Sequence, residues 1–126
     1  MTTNELLQQF ESGDLDPHAF DHRAHIAAAV ALLRQAPYLE AMERYAAGIR
    51  RLAAAAGVPH KFNMTVTVAF MSVIAERLEA DPNVSESDFL ERHPDLLAPN
   101  FLLQWYDPTR LGSATARRVF LMPEAR

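Results

Sequence analysis

The chain of 126 residues contains no cysteine, and this absence removes several kinds of site. Without thiols there are no disulfides, no thiolate metal ligands and no cysteine nucleophiles. The four glycines are isolated, so no glycine-rich loop is available to hold a phosphate. The longest apolar run, Ile26 to Leu33, has eight residues, whereas a helix needs roughly 20 to span a bilayer. We therefore expect neither a thiol-based site nor a membrane span.

The chain also has fewer basic than acidic residues. The chain has 12 Lys and Arg against 16 Asp and Glu, a net charge of -4, and the basic residues are scattered. Proteins that bind nucleic acid gain affinity by neutralising phosphates, so we expect no nucleic-acid partner. The first ten residues lack the basic start and apolar run of a secretory signal. That pattern favours a cytoplasmic location.

What the sequence does contain is helical periodicity among enough apolar residues for one core. The hydrophobic fraction is 49% and the charged fraction 22%, as in globular proteins, and the length fits one domain over residues 1–126. From Tyr38 to Ala56, apolar positions recur at steps of four and three. Capping residues, glycines and prolines delimit further helices from Thr2 to Ser12, from His22 to Gln35 and from Pro59 to Ala80. We predict an all-α, compact single-domain bundle of about four main helices plus short C-terminal helices.

Four polar side chains fall on the apolar faces of two predicted helices. At 100° per residue, His22 and His25 share the inward side of the second helix, and Asn63 and Thr67 share that of the fourth. Buried polar groups cost on the order of 1–3 kcal/mol unless they are paired, so these four should bond one another or line a cavity. His60 projects to the same side if the fourth helix is continuous.

The function that we favour for this cluster is a small-molecule enzyme without a cofactor. In an isomerase, cyclase or lyase of the proton-transfer kind, His22 or His25 would be the general acid/base. Asn63 and Thr67 would orient the substrate, with His60 as a supplementary binding residue. Each of these residues also has a purely structural interpretation: the histidines can bond backbone carbonyls, and Thr67 can bond the carbonyl one turn back.

Two other functions remain open at this point. In the first, His22 and His25 bind a divalent transition metal, and His60 or Asp21 completes the shell. In the second, the protein is a non-enzymatic helical binding or regulatory module whose polar cluster only fixes the core. The sequence leaves the oligomeric state open, so a homo-oligomer stands beside a small molecule among the expected partners.

Two motifs carry a resemblance to a known group. Phe20-Asp21-His22-Arg23-Ala24-His25 fits an aromatic-x-His-x-x-His pattern, and Phe62-Asn63-Met64-Thr65-Val66-Thr67 follows aromatic-His-Glu-x-[Ile/Leu]-Thr, with a looser match in the tail that includes Arg117. The order resembles a family of small bacterial helical proteins of unassigned function. The resemblance implies a metal or acid–base centre at His22, His25, Asn63 and Met64. Here Asn63 and Met64 replace a histidine and a glutamate, which are better zinc ligands.

The ligand of such a pocket is expected to be an anion, such as a carboxylate. The second and fourth predicted helices both begin at the polar cluster, and their free N–H groups and dipoles favour negative charge. Arg23 and Lys61 project away from the cluster on a helical wheel. We therefore predict that a tail arginine, Arg110 or by preference Arg117, folds over the opening as a bidentate clamp. The alternative for Arg117 is a surface position covering the first helix.

Overall fold

The chain is helical throughout the part that the structure, a computed structural model, describes, which is residues 2–124. Within that range there are seven α-helices and no strand: α1 (Thr3–Ser12), α2 (His22–Gln35), α3 (Tyr38–Ala55), α4 (Met64–Ala80), α5 (Glu86–Arg92), α6 (Pro108–Leu111) and α7 (Ala114–Arg118). Single turns of 3-10 helix lie at Pro17–Ala19, Pro59–Lys61, Pro94–Leu97 and Phe101–Gln104. The prediction of an all-α fold with four main helices is confirmed.

Side-chain caps set the starts of the helices. The Thr2 hydroxyl accepts a hydrogen bond from the Glu5 amide, and the Asp21 carboxylate accepts one from the Ala24 amide. Such caps satisfy N–H groups that have no partner inside the helix. The predicted start of the fourth helix at Pro59 is wrong. Residues 59–61 form a separate 3-10 turn, and α4 begins at Met64 with Asn63 as its cap.

α2 is the central helix, in contact with α1, α3, α4 and α5. Ile26, Ala28 and Ala29 on α2 have no exposed surface, and the small alanine side chains let neighbouring helices approach closely. The core is continued by buried residues of every other main helix. Its largest fully buried side chains are Phe10, Ile26, Leu32, Met71, Ile74, Phe89, Leu96 and Tyr106.

A glycine lets α1 and α3 approach each other. The Phe10 ring lies directly against Gly48, where a Cβ atom would overlap the ring. The same ring stacks on Phe20, with centroids 5.1 Å apart, and leans on Tyr45 at 5.9 Å. This aromatic cluster therefore joins α1, α3 and the turn before α2.

The C-terminal segment is held along α4 by a buried threonine. The Thr65 hydroxyl donates to the Val119 carbonyl at 2.8 Å and accepts from the Leu121 amide at 3.0 Å. The Tyr106 hydroxyl donates to the Leu121 carbonyl at 2.8 Å. These bonds place α7 and the tail on one side of α4. No helix within residues 2–124 is long and apolar enough to cross a membrane.

Candidate functional site

The four residues of the predicted polar cluster line one cavity. It has a volume of about 380 Å³ and lies between α2, α3, α4 and the segment around residues 98–103. His22, His25, Asn63 and Thr67 all border it. The rest of its wall is mostly apolar and includes Ile49, Val66, Phe70, Phe101, Leu102 and Leu111. We call this cavity the histidine pocket.

His22 lies at the rim of the histidine pocket. It is exposed, so the prediction that both histidines face inward is correct only for His25. Its Nε2 atom lies 2.8 Å from the Leu96 carbonyl oxygen, and its ring packs on Phe70. Because a carbonyl can only accept, Nε2 must carry a proton, and Nδ1 of the neutral ring is then an acceptor. Within residues 2–124 no group forms a hydrogen bond with this Nδ1 atom.

His25 lies deeper, next to the hydroxyl of Tyr45. Its Nδ1 atom is 3.4 Å from the Tyr45 oxygen, which makes a weak hydrogen bond. Tyr45 is buried, and burial raises the pKa of its hydroxyl, which therefore stays protonated. In the described part of the chain that hydroxyl has no second acceptor, so it donates to Nδ1. The neutral His25 ring then carries its own proton on Nε2.

Burial keeps His25 uncharged. It lowers the pKa of His25 from 6.5 to about 4, with a further contribution from a charge on His22, while Asp21 acts weakly in the opposite direction. Phe20 lies against the ring, with centroids 4.4 Å apart, and withholds water from it. At neutral pH His25 is thus a hydrogen-bond donor through Nε2 and not a cation.

The two imidazoles form a complementary pair. Their ring centroids are 6.1 Å apart, and both rings border the same pocket. His22 offers an acceptor at Nδ1, whereas His25 offers a donor at Nε2. A ligand group that contains both a hydrogen-bond acceptor and an acidic hydrogen can contact both residues.

The side chains of Asn63 and Thr67 form hydrogen bonds with backbone groups of the protein. The Asn63 Oδ1 atom accepts from the Val66 amide at 3.0 Å, and its Nδ2 atom donates to the Leu111 carbonyl at 2.7 Å. The Thr67 hydroxyl donates to the Asn63 carbonyl at 2.8 Å. This is the bond to the carbonyl one turn back that its structural interpretation predicts. Both residues shape the pocket wall and fix the start of α4. Asn is a preferred N-cap residue, and this preference could have indicated the role of Asn63. Because the helix was predicted to start at Pro59, Asn63 was placed inside it.

His60 and Arg117 do not reach the histidine pocket. They line a second groove of about 500 Å³ together with Arg50 and Arg118. The structure therefore does not place Arg117 over the predicted opening. Lys61, which we had predicted to project away from the polar cluster, lines the histidine pocket. His60 and Lys61 differ from their predicted positions because residues 59–61 are a separate 3-10 turn, so angles projected from α4 do not apply to them.

The structure also bears on the metal hypothesis. Because His60 lies in the second groove, His22, His25 and His60 do not form a common shell. The Asp21 carboxylate caps α2 through the Ala24 amide. Among residues 2–124, no three His, Cys, Asp or Glu side chains are grouped so that they could hold a metal ion.

The fold and site thus define an all-α protein with a histidine pocket at one end of its central helix. No protein-family model, no curated protein and no solved structure matches the chain. The resemblance to small bacterial helical proteins therefore stays a prediction, and functional inference depends on the chemistry of the pocket.

Proposed function

We propose that this protein is an enzyme that transfers a proton to and from a small carbonyl compound bound in the histidine pocket. The observation that supports the proposal most is the pairing of an acceptor on His22 with a donor on His25 in one cavity. A volume of about 380 Å³ lies within the range of small-molecule sites, as does a mainly apolar wall with a few polar groups. No cofactor is required for this chemistry.

The carbonyl oxygen of the substrate accepts a hydrogen bond from His25 Nε2–H, and His22 Nδ1 faces the carbon next to the carbonyl. His22 takes a proton from that carbon. The C–H electron pair becomes a carbon–carbon double bond, and the carbonyl π pair moves to oxygen, which gives an enolate. Return of the proton to the same carbon exchanges it with solvent. Its return to another carbon of a conjugated enolate completes an isomerisation.

The surroundings of each histidine suit these roles. As His22 becomes an imidazolium, its Nε2–H remains bonded to the Leu96 carbonyl, which stabilises the positive charge and fixes the ring. His25 stays neutral because burial depresses its pKa to about 4. A second cation beside His22 is thereby avoided, and His25 still stabilises the developing negative oxygen. The apolar wall strengthens that hydrogen bond by lowering the local dielectric.

The position of Lys61 suggests that the substrate carries a carboxylate. It is exposed and borders the histidine pocket. In this proposal its ammonium group has the role that we predicted for Arg117. A keto acid or another small carbonyl compound with a carboxylate combines the two features that the pocket recognises.

The proposal predicts catalysed hydrogen exchange at carbon. The full-length protein should accelerate deuterium incorporation next to the carbonyl in at least one member of a panel of small keto acids and cyclic ketones in D2O, followed by NMR. His22→Gln should lower the exchange rate by about 100-fold or more, since it removes the base. His25→Gln should lower it by about 100-fold, since it removes the donor to the enolate oxygen.

The matched control is His18→Gln, which changes an exposed histidine in the 3-10 turn at Pro17–Ala19, away from the pocket. It should exchange at the wild-type rate, and a chelator should have no effect on that rate. Exchange at the wild-type rate in both pocket variants, or no exchange above buffer for any compound, would contradict the proposal. Tight binding without exchange would indicate a binding module, and loss of exchange with a chelator would indicate a metal.

A further inference from the structure

Two long segments of the chain contain no acidic residue. Between Glu43 and Glu76, and again over residues 111–123, every charged side chain is basic. In the fold these segments meet, because α7 packs on α4 and the 59–61 turn packs on α3. The second groove, of about 500 Å³, lies at this junction. We call it the basic groove.

The arginines of the basic groove differ from four arginines elsewhere in the protein, each of which has a carboxylate partner. Ion pairs join Arg44 to Glu11, Arg77 to Asp95, Arg92 to Asp81 and Arg110 to Glu124. Within residues 2–124, by contrast, no carboxylate forms an ion pair with Arg50, Arg117 or Arg118. In the described part of the chain, Arg50, Arg117, Arg118 and His60 therefore line one cavity without an ion pair to a carboxylate, although the net charge of the chain is -4.

The floor of the basic groove is apolar and holds one of its arginines in place. Phe62, Pro59 and Ala114 line it. The Arg50 guanidinium lies over the Phe62 ring, 4.6 Å from its centroid, an arrangement that is attractive by the cation–π effect. Stacking on one face of the guanidinium leaves its N–H groups available to an anion in the groove.

We propose that the basic groove binds the phosphate group of a small phosphorylated organic molecule. A carboxylate carries one charge and is matched by one arginine, whereas three arginines fit an anion with at least two charges. A phosphomonoester carries nearly two negative charges at neutral pH and presents three oxygens to guanidinium forks. The organic part of the ligand then contacts the apolar floor.

This site is separate from the histidine pocket and does not depend on the function proposed there. Of the residues that line the two cavities, Phe62 alone is shared. Substitutions of the three arginines therefore leave the histidines and their partners untouched.

Calorimetric titration of the full-length protein with phenyl phosphate tests the proposal. Phenyl phosphate should bind at one site, more tightly than inorganic phosphate, and phenol should not bind. Arg50→Gln, Arg117→Gln and Arg118→Gln should each weaken binding by about 10-fold or more, since each removes a charge-assisted contact. The affinity should fall as the salt concentration rises. Arg23→Gln, which changes an exposed arginine on α2 outside both cavities, is the control and should bind as the wild type does.

Three results would overturn this assignment. The first is the absence of phenyl phosphate binding at millimolar concentration. The second is undiminished binding by the variant that carries all three substitutions, or an equal loss with Arg23→Gln. The third is tighter binding to a single-stranded oligonucleotide or to phosphatidic acid vesicles, because the phosphate would then belong to a polymer or a lipid surface.

Discussion

At the scale of single residues, the chemistry depends on which nitrogen of each imidazole is protonated. The spacing of His22 and His25 was enough to predict that both would meet one site, since residues three apart share a helix face. It could not predict their tautomers. The Leu96 carbonyl that fixes His22 is 74 positions away, and the Tyr45 hydroxyl next to His25 is 20 positions away. The Tyr45 ring is in addition buried in the core.

The depressed pKa of His25 makes stability depend on pH. Because the pKa is about 4 when folded and near 6.5 when unfolded, the unfolded chain binds more protons between these values. The stabilising effect of the neutral ring is complete above pH 6.5 and is lost as the pH falls towards 4. We predict that the free energy of unfolding falls by about 2 kcal/mol more between pH 7 and pH 5 in the wild type than in His25→Gln.

Urea unfolding at a series of pH values measures this difference. His18→Gln, which changes an exposed histidine, should keep the slope of the wild type. The same slope in His25→Gln as in the wild type would show that His25 is not held neutral by the fold.

At the scale of elements, the existence of the four main helices could be predicted, but one of their boundaries could not. Thr65-Val66-Thr67-Val68 consists of β-branched residues, which favour strands, yet it lies in a long stretch without glycine or proline and forms part of α4. The start of the fourth helix was predicted at Pro59, where a long stretch without internal glycine or proline begins. The structure uses that proline to begin a separate 3-10 turn. This shift of five residues turned Asn63 into a cap and moved His60 to the basic groove.

The contact between α1 and α3 predicts an unusual effect of adding a methyl group. In a helix interior, Gly→Ala normally stabilises by about 1 kcal/mol. In Gly48→Ala the new Cβ overlaps the buried Phe10 ring, and overpacking costs about 1–3 kcal/mol. We therefore expect Gly48→Ala to lower the free energy of unfolding in chemical denaturation. Gly112→Ala, whose Cβ has only one neighbour at 3.4 Å, should change it little; equal effects of the two substitutions would argue against the close contact.

At the scale of the whole molecule, local patterns predicted the class of fold but not its cavities. Helical periodicity and composition are properties of neighbouring residues, and they were sufficient for an all-α prediction. The basic groove instead forms because Thr65 and Tyr106 hold the tail against α4, which brings Arg117 towards α3. Contacts between segments about 55 residues apart leave no periodic signal in the sequence. Scattered basic residues were thus gathered on one face by tertiary structure.

The central claim is that the histidine pocket contains an unprotonated Nδ1 atom on His22 and an N–H group at Nε2 of His25. A long-range 1H–15N NMR spectrum of the histidine side chains, recorded over a range of pH, reads both tautomers directly. Single His→Gln variants assign the signals. We predict a proton on Nε2 in both neutral rings, and a His25 signal that stays neutral down to pH 5, above its pKa of about 4. A proton on Nδ1 of either ring, or titration of His25 near its ordinary value of 6.5, would contradict the claim.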